Sequence, residues 1–176
     1  MNTARAELLK LATLPAVLLT VALTWAVTLL IVLAAAGDPD PVPLVRAGFL
    51  VLGVLAASSE YEGAQLRTTL LGTPRRVHLQ LVKTLVLALA AVPVAVVTVL
   101  IAGTGDAAYL VVITLIAAGV ATVLRHALAG IVVVLGYYFV LSPFLRDRVD
   151  DSPWLPVCWA LGVLLAATVT VARRDA

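Results

Sequence analysis

Residues 15–36 read PAVLLTVALTWAVTLLIVLAAA, twenty-two positions without one charged side chain. A helix rises about 1.5 Å per residue, so this stretch covers ~33 Å and matches a hydrocarbon core of about 30 Å. Its polar atoms are three threonine hydroxyls, at Thr20, Thr24 and Thr28, and the Trp25 indole. Lipid offers the backbone no hydrogen-bond partners, and a helix supplies them all within one segment, so the stretch reads as a membrane-spanning helix. It is longer than the apolar region of a cleaved leader, and no small-residue cleavage pattern precedes the Asp38-Pro39-Asp40-Pro41 turn, so the helix is read as retained.

The rest of the chain agrees. Of its 176 residues 62% are hydrophobic and 12% charged, against roughly half and a quarter in soluble domains. Mean hydropathy is +1.11. A soluble domain of this size would leave large apolar patches in water, and a disordered chain would carry far more charge. The single cysteine, Cys158, excludes an internal disulfide framework and a cysteine-built metal site. A formal charge of +2 gives no case for nucleic acid.

Working outward, apolar runs at 43–58, 79–102, 107–124, 127–141 and 153–172 join 15–36 to give six candidate spans. Only Arg125 and His126 interrupt 107–141. As one helix it would extend about 50 Å, so two short helices joined by a tight turn are expected. With an even number of spans both termini share a side. Placing them in the cytoplasm puts nine basic residues inside (Arg5, Lys10, Arg67, Arg75, Arg76, Lys83, Arg125, Arg173 and Arg174) and three outside (Arg46, Arg146 and Arg148). The outer loops hold Asp38, Asp40, Asp106, Asp147, Asp150 and Asp151 instead.

Two segments between spans carry more pattern than a plain connection. Residues 3–14 set Thr3, Glu7, Lys10 and Thr13 on one helical stripe opposite Leu8, Leu11 and Ala12, the pattern of an interfacial helix; an ordinary charged lead-in is the plainer reading. The other segment, 59–76, is SEYEGAQLRTTLLGTPRR. Helical spacing puts Glu62, Gln65 and Thr69 on one face and Leu66 and Leu70 on the other, and Gly72-Thr73-Pro74 stops the helix. Such a helix docks its leucines in a groove of a cytosolic partner, with Arg67, Arg75 and Arg76 meeting acidic groups or headgroups. The competing reading is a solvated loop whose arginines only set topology.

At this point the chain resembles a known family. Glu60-Tyr61 after the second span, then Leu66-Arg67-Thr68-Thr69-Leu70-Leu71 and Thr73-Pro74-Arg75-Arg76, is similar to the coupling-helix region of permease subunits of type-2 ABC exporters, particularly the compact ones of high-GC bacteria. Glu7-Leu8-Leu9-Lys10-Leu11 resembles their entry helix. Glu62 stands where that family has a basic residue, and Ala64-Gln65 where it has Gly-Thr. The resemblance implies an all-α integral membrane protein with six transmembrane helices, an N-terminal interfacial helix and a short cytoplasmic coupling helix between spans two and three. It implies a multi-pass subunit of the bacterial inner membrane that pairs with a second permease, as a homodimer or a related heterodimer. Cytosolic ATPase subunits, which hold the ATP and Mg, would drive it through Glu60, Tyr61, Glu62, Leu66, Arg67, Leu70, Arg75 and Arg76. In keeping with that division, the chain has no G-x-x-x-x-G-K-[ST] phosphate loop.

Within the spans, Thr20, Thr24 and Thr28 repeat every fourth residue, with Trp25 beside them about 15 Å deep. This stripe is a candidate substrate path or dimer surface. Alternatively the threonines bond to their own i−4 carbonyls and allow close packing. Pro93 should kink the third span, as a hinge or as a tolerated break, and Lys83 lies about one turn inside and snorkels. His78, Arg125 and His126 are topology markers or contacts to the ATPase, and neither histidine has the companions a metal needs. The outer segment from Ser142 to Pro156 is a re-entrant gate or an anchored loop. No carboxylate sits mid-span, so a membrane enzyme lacks its acid-base parts. The expected function is export of a hydrophobic or amphipathic substrate (drug, peptide or lipid) by alternating access; the alternative is a non-transporting scaffold or immunity protein.

Overall fold

The computed structural model describes residues 9, 11, 13–34, 41–62, 76–103, 105–141 and 155–174, with the backbone alone at 60–62, 76–79, 155–157 and 171–174. All regular structure among them is helical: α1 (Pro15–Ala34), α2 (Val42–Glu62), α3 (Arg76–Ala102), α4 (Ala107–Leu124), α5 (Ala127–Gly136) and α6 (Leu155–Arg174). Four of these contain stretches long and apolar enough to cross a membrane: Pro15–Ala34, Val42–Ser59, Gln80–Ala102 and Ala107–Leu124. The apolar stretches Ala127–Leu141 and Cys158–Thr170 are shorter. The interfacial helix expected at 3–14, apart from Leu9, Leu11, Thr13 and Leu14, lies outside the described residues, as does the outer segment at 142–153.

The run 107–141 is two helices. Arg125 takes a left-handed conformation at φ 55° and caps α4, its N–H bonding to the Ala121 carbonyl, and His126 is extended before α5 begins. That single left-handed residue turns the chain back on itself. At the other end of α4 an Asp106 oxygen accepts the Ala108 N–H at 2.9 Å, the bond that starts the helix. Past Gly136 the chain winds as a wider π-helical turn, Tyr137–Leu141, in which the Tyr138 and Phe139 rings meet edge to face at 5.0 Å.

The apolar part of the second span, Val42–Ser59, ends within one residue of the expected Ser58. The helix itself continues past it to Glu62, so Glu60, Tyr61 and Glu62 form the last turn of α2. Nothing before Gly63 breaks helical geometry, and the Ser59 hydroxyl bonds back to the Ala56 carbonyl at 3.1 Å instead of competing for another conformation. The third span is Gln80–Ala102, as expected at 79–102; its helix α3 starts one turn earlier, at Arg76, and is continuous through Pro93, which is exposed on its outer side.

α4 is the hub, packed against α2, α3, α5 and α6. Eight of its residues are buried, among them Ile113, Thr114, Ala117 and Ala121, whereas α1 buries only Thr28. α2 and α4 run in the same direction: Arg46 lies over Tyr109 near their starts, and Gly53 meets Thr114 further along. The contact is close because position 53 has no side chain; a Cβ there would strike the Thr114 carbonyl. Gly130 of α5 makes similar room for Val54, and Gly119 for Val163 of α6. Small residues at helix crossings replace the hydrophobic drive that lipid removes. The core, Val45, Phe49, Leu50, Val54, Ala95, Leu110, Ile113, Ala117, Ala121 and Val134, gathers around α2 and α4. Outward, Leu19 at 68% exposure, Leu33 at 74%, Leu85 at 69% and Leu100 at 75% form an apolar shell suited to acyl chains.

Candidate functional site

Polar atoms inside such a bundle are few, and each hydroxyl must find an acceptor. The threonine stripe of α1 does so within its own helix: Thr20 donates to Ala16 at 2.7 Å, Thr24 to Thr20 at 2.7 Å and Thr28 to Thr24 at 2.6 Å. The stripe also faces the bundle. Thr28 is buried, and the Thr24 side chain rests against Gly48 of α2 so closely that a Cβ at 48 would collide with its hydroxyl. Trp25 reaches the other way and donates from Nε1 to the Thr98 hydroxyl of α3 at 3.0 Å. Thr98 in turn donates to the Val94 carbonyl at 2.7 Å, so it is both donor and acceptor while fully buried. Of the predicted stripe, Thr24, Trp25 and Thr28 are therefore used to seat α1 on α2 and α3 within one chain.

At the opposite end of α3 a cavity of about 60 Å³ opens between α2, α3, α4 and α6. That is room for roughly four or five waters. It exists because Ala56, Ala57, Ala118 and Gly119 line it with almost no side chain, and Leu11 covers part of it. Gln80, Lys83, Thr84 and Thr122 give it polar walls. The hydroxyl protons of Thr84 and Thr122 go to the Gln80 and Ala118 carbonyls at 3.0 and 2.8 Å, so these residues offer lone pairs to the cavity. Among the described residues Lys83 is the one charged residue in the lining, beside the polar Gln80 and Thr84. It sits one turn inside the apolar stretch.

The cavity also fixes the geometry of the predicted coupling region. Ala56 and Ala57 lie one to two turns before Glu62, and Gln80 and Lys83 lie one to two turns after Arg76, so the ends of α2 and α3 share one end of the bundle directly beyond the cavity. Glu60, Tyr61, Glu62 and Arg76 stand on those two ends. Leu66, Arg67, Leu70 and Arg75 lie outside the described residues. No group of three or more His, Cys, Asp or Glu that would hold a metal occurs among the described residues.

Sequence reading found the α1 stripe and missed its partners. Thr98 is one threonine in an otherwise apolar run, and Gly48 and Gly53 are ordinary glycines until the helix that crosses them is known. The cavity residues Gln80 and Thr84 carried one usable signal, a polar pair at i and i+4 flanking Lys83. No protein-family model, curated protein or solved structure matches this chain.

Proposed function

We propose that this chain is the membrane-spanning subunit of an ATP-driven exporter of the type-2 ABC kind, with six spans, both termini cytoplasmic, and a coupling segment at 59–76 that receives motion from a separate ATPase. The observation that carries the reading is the placement of α2 and α3. The ends of α2 and α3 that residues 63–75 connect stand side by side next to the cavity, so a partner pulling on that connection acts on both helices at once. The resemblance of 60–76 to a coupling region adds to it. So does the light seating of α1, which buries only Thr28 and would move at little energetic cost. The substrate class that suits the mostly apolar lining is a hydrophobic or amphipathic molecule.

The test is the double substitution Leu66→Asp with Leu70→Asp. A buried leucine is worth roughly 1.5–3 kcal/mol, so replacing two docked leucines weakens a complex by more than about a hundredfold. Membrane insertion is expected to survive while the ATPase no longer co-purifies. If the wild-type chain brings down no ATPase and transports nothing in its presence, the protein is a scaffold or immunity protein instead. Nucleotide hydrolysis by the purified chain alone would also overturn the proposal.

A further inference from the structure

The first turns of α2 and α4 meet at the end of the bundle where α3 finishes, and they leave a second pocket of about 50 Å³. Arg46 and Asp106 both line it. They are not paired: the Arg46 guanidinium lies instead over the Tyr109 ring, 4.8 Å from its centroid, and has no ion pair or hydrogen bond among the described residues. An aromatic face attracts a cation but accepts none of the five N–H bonds a guanidinium has to give. Asp106 spends one oxygen on the Ala108 N–H at 2.9 Å. Its other oxygen has no hydrogen-bond or ion-pair partner among the described residues. Thr98 also lines the pocket, but its proton goes to Val94 and it already accepts from Trp25, so it adds little recognition.

A cation and a carboxylate that border one space without bonding to each other match a ligand that carries both opposite charges. The depth narrows its class. Arg46 is four residues into α2, about 6 Å inside the start of its apolar stretch, a depth from which a long arginine side chain reaches the headgroup phosphates. The volume holds roughly four or five non-hydrogen atoms, a phosphate rather than a sugar ring. On its outward face α3 exposes the apolar row Leu89, Val92, Val96 and Leu100, which suits acyl chains.

We infer that this pocket seats the phosphodiester of an aminophospholipid on Arg46, with the primary ammonium reaching out to Asp106 at the exposed rim, in the manner of phosphatidylethanolamine. The Asp106 carboxylate repels a headgroup with no cation, and a quaternary ammonium has no N–H to donate to it. The inference needs only that the bundle lies in a bilayer and is independent of any ATPase.

The experiment titrates the delipidated full chain in detergent, by native mass spectrometry, with phosphatidylethanolamine, phosphatidylglycerol and phosphatidylcholine of identical acyl chains, and with phosphoethanolamine and inorganic phosphate as tail-free probes. Phosphatidylethanolamine is expected to bind about tenfold more tightly than either other lipid, the effect of one charge-assisted hydrogen bond. Arg46→Gln should weaken all phosphate-bearing lipids by about tenfold, and Arg46→Lys should restore most of it. Asp106→Asn keeps the helix cap, since asparagine caps as well as aspartate, and should erase the preference over phosphatidylglycerol. A preference that survives Asp106→Asn, or binding untouched by Arg46→Gln, overturns the inference. Phosphoethanolamine binding as tightly as the lipid would assign the pocket to a soluble ligand and overturn it too.

Discussion

Trp25 of α1 donates its indole N–H to the Thr98 hydroxyl of α3, 3.0 Å away and 73 residues along the chain. Tryptophan normally sits at a membrane interface because its N–H seeks water. Here the partner is a buried threonine whose own proton is already placed on Val94. The bond joins α3 to a helix whose one fully buried residue is Thr28.

Its strength is measurable by a double-mutant cycle of Trp25→Phe and Thr98→Val. Interhelical hydrogen bonds in membranes average about 0.6 kcal/mol and reach ~1.7. The single substitutions should each lower unfolding stability in detergent, and the double mutant should be less destabilised than their sum by an amount in that range. Strict additivity would mean that the two side chains do not interact.

The glycines should sort by what a methyl would meet. Gly53→Ala meets the Thr114 backbone carbonyl, which cannot rotate away, and overpacking of this kind costs about 1–3 kcal/mol or more. Gly48→Ala meets the Thr24 side chain, which has some freedom, so its cost should be smaller. Gly162→Ala enters open space and should gain about 0.5–1 kcal/mol from backbone entropy. Thermal unfolding in detergent gives the ranking, and an equal effect at positions 53 and 162 would contradict the close α2–α4 crossing.

Arg125 holds a left-handed backbone at φ 55°. A β-branched side chain resists that region most strongly, so Arg125→Val should destabilise the α4–α5 turn by about 1–2 kcal/mol, while Arg125→Asn should be tolerated at the backbone. Comparing the melting temperatures of the two variants isolates the backbone effect, because both lose the guanidinium. Indistinguishable variants would argue against a turn at this residue.

The nine-to-three distribution of basic residues predicts sidedness. In a background with the exposed Cys158 replaced by serine, cysteine at Asp38, Asp106 or Asp150 should react with an impermeant thiol reagent in intact cells. Cysteine at Thr73 should not. Labelling at Thr73 would reverse the proposed topology and overturn the proposed contact of 59–76 with a cytosolic ATPase.

The helices were legible because lipid imposes one requirement on every span, an unbroken run of apolar residues whose backbone bonds to itself. That is why 15–36, 79–102 and the break at Arg125 and His126 could be read directly from residue order. Periodicity also placed Thr24 and Thr28 on one stripe. What order alone could not supply was the neighbour across each stripe, because apolar helices in lipid have no alternation of polar and apolar faces to orient them. Only tertiary packing shows that Thr24 abuts Gly48, that Gly53 admits the Thr114 carbonyl, and that α2 and α4 lie side by side in the same direction. The same packing brings Trp25 to Thr98, and Arg46 and Asp106 to one pocket, across separations of tens of residues. Spans are fixed locally by the solvent they need, whereas sites within the bundle arise from which small residues let which helices touch.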